Sequence, residues 1–379
     1  MKEQRKQEAK VKKKDGVADL EKLINDVKKD CLYLNGYKPC KPHKEKGVHC
    51  DKCDDYIKLN KNILIIKLQA AGEVIRNTSI LHRINKEFPN SKIWWLTRYP
   101  DLVPERMVHQ TLVWNSDNIL FLQDQHFDIV YSLDKDMEAA SLANRINADV
   151  KKGFSQQNGV IIPFDKDAHH KWITGIFDDA MKKHAKNYIE GIFETCGFKW
   201  NNEKYILPDY VVPNIGIKTK KKLIGFTTGV GSKWKTRKFS DAKTVSIIND
   251  LKEDYDILLL GGPEEDQINK SIASVTGTKY YGTFPFREFI GLMSLCDLVI
   301  TPVTMAMHIA IGLEKKIILL NNIFPSKEFY LYNLGKMIEP ELPCKYCYKQ
   351  DFDSKCYAKN CMDLVENTEI VKTVKELLK

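Results

Sequence analysis

The chain has 379 residues, 43% of them apolar and 29% charged, which is long for one hydrophobic core and points to two domains. No apolar run is long enough to span a bilayer, since even 63–68 is broken by Lys67, and the charged start lacks a signal-peptide core, so a cytoplasmic protein is expected. The formal charge of +9 at pH 7 is concentrated in residues 1–14, a tail suited either to peripheral contact with an anionic inner membrane or simply to solvation.

Residues 17–30 place Leu20, Leu23, Ile24 and Val27 on one face, the pattern of a short docking helix. The first of two cysteine groups follows, with Cys31, Cys40, Cys50 and Cys53 in Gly/Pro/Lys-rich loops. Such loops cannot pack a core alone, and four thiolates including a CDKC knuckle are the donor set of a structural zinc or iron site. Reduced free thiols are the bland alternative, and His43 or His49 are alternative ligands.

A strand at 63–68, a small-residue turn at 69–72 and a helix at 73–86 form the first βα unit of a doubly wound sheet. Ligands in such folds bind at the carboxyl ends of strands, which makes Glu73 the candidate catalytic residue. Strands are expected at 92–97 and 127–133, a helix at 136–146, a strand pair across 149–163 and a mixed helical section at 169–197. His169 and His170 read as a surface pair at a helix start. Arg76, Arg98 and Asp134 are the acceptor-side candidates of this half.

A Pro-containing linker at 209–219 precedes a second alternating series. Its strands are expected at 222–226, 256–260, 297–301 and 316–320, and its helices at 240–253, 286–295 and 304–313. Three of its strand ends suit a ligand. Thr227, Thr228, Ser232 and Lys233 lie in a glycine-containing loop with the donors of a phosphate cradle, although the spacing is not that of a P-loop. Glu265 follows a Gly-Gly-Pro turn and is placed to accept ribose hydroxyls. Thr304, Met305 and Ala306 open a helix whose free N–H groups favour a pyrophosphate, with His308 one turn on. Cys344, Cys347, Cys356 and Cys361 form the second cysteine group, again read as a structural zinc or iron site. Cys196 and Cys296 are expected in the core.

The segments ILIIKLQAAGEV, TTGVGSKW, LLLGGPEE and CDLVITPVTMAMHIAIGL, in that order, resemble glycosyltransferase family 9, the heptosyltransferases. The CKYC…C…CMDL tail and the cysteine-rich prefix are similar to those of a cysteine-rich subgroup that includes the autotransporter heptosyltransferases, where the tail binds iron. The resemblance implies an α/β fold of GT-B type, two Rossmann-like domains facing across a cleft, with metal-binding extensions at both ends. The expected divisions are 1–61 (tail, helix and cysteine knuckle), 62–210 (acceptor domain), 211–340 (donor domain) and 341–379 (cysteine segment and helix). It also implies inverting transfer without a catalytic metal, from ADP-heptose or another nucleotide-diphosphate sugar to a lipopolysaccharide-type acceptor. A protein acceptor, such as an autotransporter or flagellin-like target, is the alternative. In the family pattern a Gly-Asp pair supplies the general base, and here the pair is Gly72-Glu73. The donor ligands it implies are Thr227, Thr228, Ser232, Lys233, Glu265 and the Thr304 helix start. The family's Asp-Thr-Gly before the helix histidine is replaced by Val303-Thr304-Met305. A metal-stabilised nucleic-acid-binding protein ranks last, because Lys and Arg outside the tail are scattered rather than interleaved with aromatics, and no nucleic acid is expected as a partner.

The cysteine spacing predicts at least one thiophilic metal ion per chain in elemental analysis of freshly purified protein. Less than one per chain rejects both sites.

Overall fold

The computed structural model describes residues 19–217, 219, 221–231, 234–349, 351–352 and 354–379. Two twisted sheets organise it. The first has the order β3-β2-β1-β4-β5-β6, built from β1 (Asn62–Ile66), β2 (Lys92–Thr97), β3 (Gln110–Val113), β4 (His126–Ser132), β5 (Asn147–Gln157) and β6 (Val160–Pro163). It is parallel except for the antiparallel β5–β6 pair. The second has the order β11-β10-β9-β7-β8, all parallel, from β7 (Leu223–Thr227), β8 (Asp256–Leu260), β9 (Leu298–Pro302), β10 (Lys316–Leu320) and β11 (Gly335–Ile338). The central strands are unbroken apolar runs, and Ile63 to Ile66 and Ile317 to Leu319 are wholly buried. Helices covering both faces of a parallel sheet require that pattern. This is the GT-B arrangement that the sequence led us to expect.

Four details differ from the sequence reading. Edge strands β3 and β11 were not foreseen, because QTLV and GKMI are short and only partly buried. Helices Ser116–Gln123 and Asp266–Thr276 also escaped it. The helix expected at 73–86 is two helices, Ala71–Asn77 and Ile80–Glu87. At the break Thr78 Oγ1 joins its own N–H on the Ile75 carbonyl (2.6 Å) and Ser79 Oγ donates to that of Arg76 (2.9 Å), so hydroxyls take part in capping the first helix. The helix expected to dock at 17–30 is helical at 19–26, but Leu20 and Ile24 are 58% and 60% exposed and Val27 39%. Among the described residues this face is therefore not packed into any of the hydrophobic cores. Cys196 and Cys296 are buried as expected.

The two sheets are held together chiefly through helix Ala71–Asn77 of the first half and helix Met305–Gly312 of the second. Their apolar residues belong to one continuous core, which joins Ile63, Val74 and Trp95 to Ile309, Ala310 and Leu319. The approach depends on Gly72. A Cβ there would lie 2.6 Å from His308 Cδ2 and 3.2 Å from Met305 Cα, closer than such atoms pack. A second core, with Phe226, Ile248 and Ile300, is capped by Ile370 and Val374 of the terminal helix Asn367–Leu377.

Substitution Gly72→Ala is therefore expected to destabilise the fold by about 1–3 kcal/mol through overpacking, measured by urea unfolding. Unchanged stability would show that the helices can separate freely at this point.

Candidate active site

The site is built from the carboxyl end of β1 outward. Lys67 enters the strand's last turn with its side chain 1% exposed, and an ammonium so buried is tolerated only when paired. Its Nζ donates to Asp134 Oδ1, to the Gln69 carbonyl and, at 2.6 Å, to Glu73 Oε2. Asp134 turns its other oxygen to the backbone N–H groups of Leu68 and Gln69. It thus shapes the turn that launches helix Ala71–Asn77, rather than facing a ligand with free oxygens. The Glu73 carboxylate is more heavily used. Arg76 Nη2 donates to Oε1 (2.9 Å), and the Tyr188 hydroxyl joins Lys67 on Oε2 (3.1 Å). The Arg76 guanidinium stands 3.0 Å from the centre of the Tyr188 ring and Lys171 Nζ stands 3.3 Å from it, so cation–π attraction gathers both cations on this tyrosine.

These contacts set the protonation states. Burial pushes the Glu73 carboxyl up, but Lys67 and Arg76 outweigh it and hold the group well below the usual carboxylate range. Burial alone would neutralise Lys67, yet Glu73 and Asp134 keep it charged. Asp134 moves the other way, because its burial outweighs the Lys67 ammonium. The Tyr188 hydroxyl is pushed up to about 12 by burial despite Arg76. Lys171 is driven well below the ordinary lysine value by burial and then by Arg76. His308 is driven down by burial and by Arg76, which keeps the imidazole neutral.

Of the second sheet's strand ends, the one after β9 meets this cluster, through His308 and Met305 at Gly72. After β7, Thr227 Oγ1 donates to the Ile300 carbonyl (3.4 Å) and Thr228 Oγ1 to Asn269 Oδ1 (2.5 Å). Ser232 and Lys233 lie outside the described residues. After β8, Glu265 folds back over the loop. Its Oε2 accepts from Gly262 N (2.9 Å) and its Oε1 from Gly231 N (3.4 Å), and a Cβ on Gly229 would lie 2.0 Å from its Cγ. After β9, Thr304 stands at the N-cap of helix Met305–Gly312 without a side-chain cap bond. The first N–H groups, at Met305 and Ala306, are those that an anion at a helix start would meet. His308, 5% exposed, has an Nδ1 without a hydrogen-bond partner among the described residues. Arg98 pairs with Glu138 at 2.9 Å on an open surface and is not part of this cluster of contacts.

Four residues central to the site were not singled out from the sequence. Lys67 was visible only as an interruption of an apolar strand, and a charge inside a buried run was the available signal. Tyr188 and Lys171 come from helices Tyr188–Thr195 and His169–Ile173, and only tertiary packing brings them to Glu73. Arg237, 9% exposed, donates from Nη1 to the Val303 carbonyl, from Nη2 to that of Val230 (3.1 Å) and from Nε to that of Trp234 (3.3 Å). Burial brings it down to about 10, and it ties the β7 loop to the β9 loop.

The cysteine groups differ. Cys31, Cys40, Cys50 and Cys53 all line one small cavity of ≈ 30 Å³, with His49 beside them. In the tail, Cys361 Sγ accepts from Asn322 Nδ2 at 3.0 Å. Among the described residues no group of three or more His, Cys, Asp or Glu side chains is gathered as a metal site. The N-terminal thiols fit a thiophilic ion in donor type and in sharing one cavity, and no step of the chemistry below depends on a metal.

The family model of glycosyltransferase family 9 (heptosyltransferase) matches residues 121–350. The chain belongs to this family. Solved structures share the fold at low identity. A family 9 glycosyltransferase from Veillonella parvula is 15% identical, with 85% of this chain and 98% of that one covered at a TM-score of 0.62. The ADP-heptose lipopolysaccharide heptosyltransferase II of E. coli is 13% identical, with 84% and 98% covered at 0.60. The iron-containing dodecameric glycosyltransferase TibC of enterotoxigenic E. coli is 11% identical, with 86% and 78% covered at 0.54. No curated protein matches the sequence. No helix among the described residues of this family 9 chain is long and apolar enough to cross a membrane.

Replacing Lys67 with Met is expected to cost about 3–5 kcal/mol, because it leaves the Asp134 side chain, 5% exposed, buried without its cation. Urea unfolding measures this. A loss below ~1 kcal/mol, the scale of a surface ion pair, would mean that water reaches the cluster.

Proposed function

We propose that the chain transfers heptose from ADP-heptose to a hydroxyl of a lipopolysaccharide-type acceptor, with inversion and without a metal in the reaction. The observation that carries this reading is the juxtaposition just described. The helix start after β9 meets the helix that carries Glu73 at the Gly72–His308 contact, and Arg237 ties the β7 loop to it. The family's heptosyltransferase description supports the sugar. So does the binding of ADP-D-beta-D-heptose by TibC, which shares the fold.

In this reaction an acceptor oxygen bonds to the anomeric carbon while the anomeric C–O bond to the diphosphate breaks. The departing ADP carries away the electron pair and needs donors placed in advance. Thr227, Thr228, Ser232, Lys233 and the N–H groups at Thr304, Met305 and Ala306 are assigned to that anion, with Arg237 holding their loops in register. His308, kept neutral, offers a hydrogen bond rather than a charge. Glu265 reaches the ribose only by exchanging its backbone partners for sugar hydroxyls. Glu73 occupies the position of the family's base. Arg76 and Lys171 line the acceptor side.

A protein acceptor is the second reading, favoured by the resemblance of the cysteine tail to the autotransporter heptosyltransferases. A heptose-sized mass gain on a candidate protein, with none on heptose-deficient lipopolysaccharide, would select it.

The donor assignment predicts that ADP raises the melting temperature more than UDP or GDP at equal concentration, and equal shifts would overturn it. Substitution Glu73→Gln is expected to lower transfer by on the order of 10²- to 10⁴-fold while the ADP shift is retained. Transfer within threefold of the wild type would remove Glu73 from the reaction.

A further inference from the structure

We propose that the C-terminal cysteine segment, acting through Asn322 and Thr236, holds the loop after β7 in its binding shape. Nucleotide-diphosphate affinity then depends on side chains that do not touch the nucleotide. The inference rests on the donor site proposed above and adds positioning residues to it.

The loop that carries Thr227, Thr228, Ser232 and Lys233 ends at Thr236 and Arg237, both buried. Arg237 bonds the carbonyls of Val230 in that loop and of Val303 just before Thr304. Both phosphate-suited turns are thus referred to the position of one arginine. What fixes the neighbouring Thr236 comes from the far end of the chain. Asn322, in the turn after β10 and 2% exposed, donates from Nδ2 to the Thr236 carbonyl (2.7 Å) and to Cys361 Sγ (3.0 Å). The Thr236 hydroxyl donates in turn to the Lys349 carbonyl (2.7 Å).

Further contacts keep the tail against this point. The N–H groups of Tyr346 and Tyr348 donate to the carbonyls of Asn322 (3.0 Å) and Ile323 (3.3 Å), so the tail runs beside the β10 turn. The N–H of Ser240 donates to Asp363 Oδ1 at 2.8 Å. Phe324 lies between Trp234 and Tyr348, with ring centres 5.4 and 5.6 Å away. Loop, turn and tail are therefore joined by buried polar bonds and by one aromatic stack.

This joint has an energetic role distinct from that of the strands. The second sheet has its own apolar core, capped by helix Asn367–Leu377, so weakening the joint leaves the sheet in place and loosens the loop. A loop that must be ordered when the ligand arrives subtracts that entropy from binding. Donors fixed beforehand meet the diphosphate without that loss.

The test is calorimetric titration of the full chain with ADP, together with the KM values for ADP-heptose and for heptose-deficient lipopolysaccharide. Thr236→Val keeps the side-chain shape and removes the hydroxyl, Thr236→Ser keeps the hydroxyl, and Asn322→Ala removes both amide bonds. Coupling through such a network predicts that T236V and N322A weaken ADP binding by about 3- to 30-fold. They should raise the KM for ADP-heptose and leave that for the acceptor unchanged, while T236S binds as the wild type does. A lower melting temperature with ADP affinity retained is what a merely structural role gives, and it overturns the proposal. Equal weakening in T236S and T236V overturns it too. Hydrogen–deuterium exchange supplies a readout that needs no ligand. Amides at 226–231 should exchange faster in T236V while those of β1 and β4 do not change, and unaltered exchange at 226–231 overturns the proposal. A wild type that binds no ADP, yet loosens at 226–231 in T236V, counts against the transfer reaction and supports the joint.

Discussion

The buried ammonium of Lys67 is the constraint on which the rest of the first half depends. It sits at the end of β1, where water is absent, and compensates two carboxylates from different elements. One of them, Asp134, closes the loop after β4 onto the backbone of the β1 turn. The other, Glu73, starts the helix that crosses to the second sheet. A single cation therefore decides where a strand ends, how the next helix begins and which protonation state the site's most central acid adopts. Removing the cation from such a set is costly because Asp134 is buried and cannot be resolvated in place.

The second half reaches this cluster through a short list of close approaches. Helix Met305–Gly312 is apolar throughout and carries one polar side chain, His308, which rests against Gly72. Arg237 bonds carbonyls on both sides of the β7 and β9 loops, so the phosphate-suited turns move as one piece. The cleft is thus formed by packed and hydrogen-bonded surfaces rather than by two lobes meeting loosely.

Much of this was legible in the sequence because parallel strands buried on both faces leave unbroken apolar runs, and glycine turns mark their ends. The central strands, the three ligand-suited turns and the position of Glu73 all followed from such runs. What escaped did so for physical reasons. β3 and β11 lie at sheet edges, where burial is partial and the pattern fades. The break at Thr78-Ser79 involves side-chain hydrogen bonds that apolar spacing does not register. Leu20, Leu23, Ile24 and Val27 had helical spacing, but spacing does not say whether a partner surface exists. Tyr188 reaches Glu73 across 115 positions of sequence and brings Lys171 with it, and nothing in the local sequence of either distinguishes it from a surface residue.

The meeting of Gly72 with His308 has a consequence for exchange between relatives. The two sheets resemble modules, and a nucleotide-sugar specificity looks transferable by replacing one half. Here the missing side chain on one module is the space occupied by the imidazole of the other. A hybrid that imports a first half with any larger residue at this turn would be forced apart at the cleft, whatever its own stability. The halves therefore fit as a matched pair, and a hybrid must keep both partners of this contact or change them together.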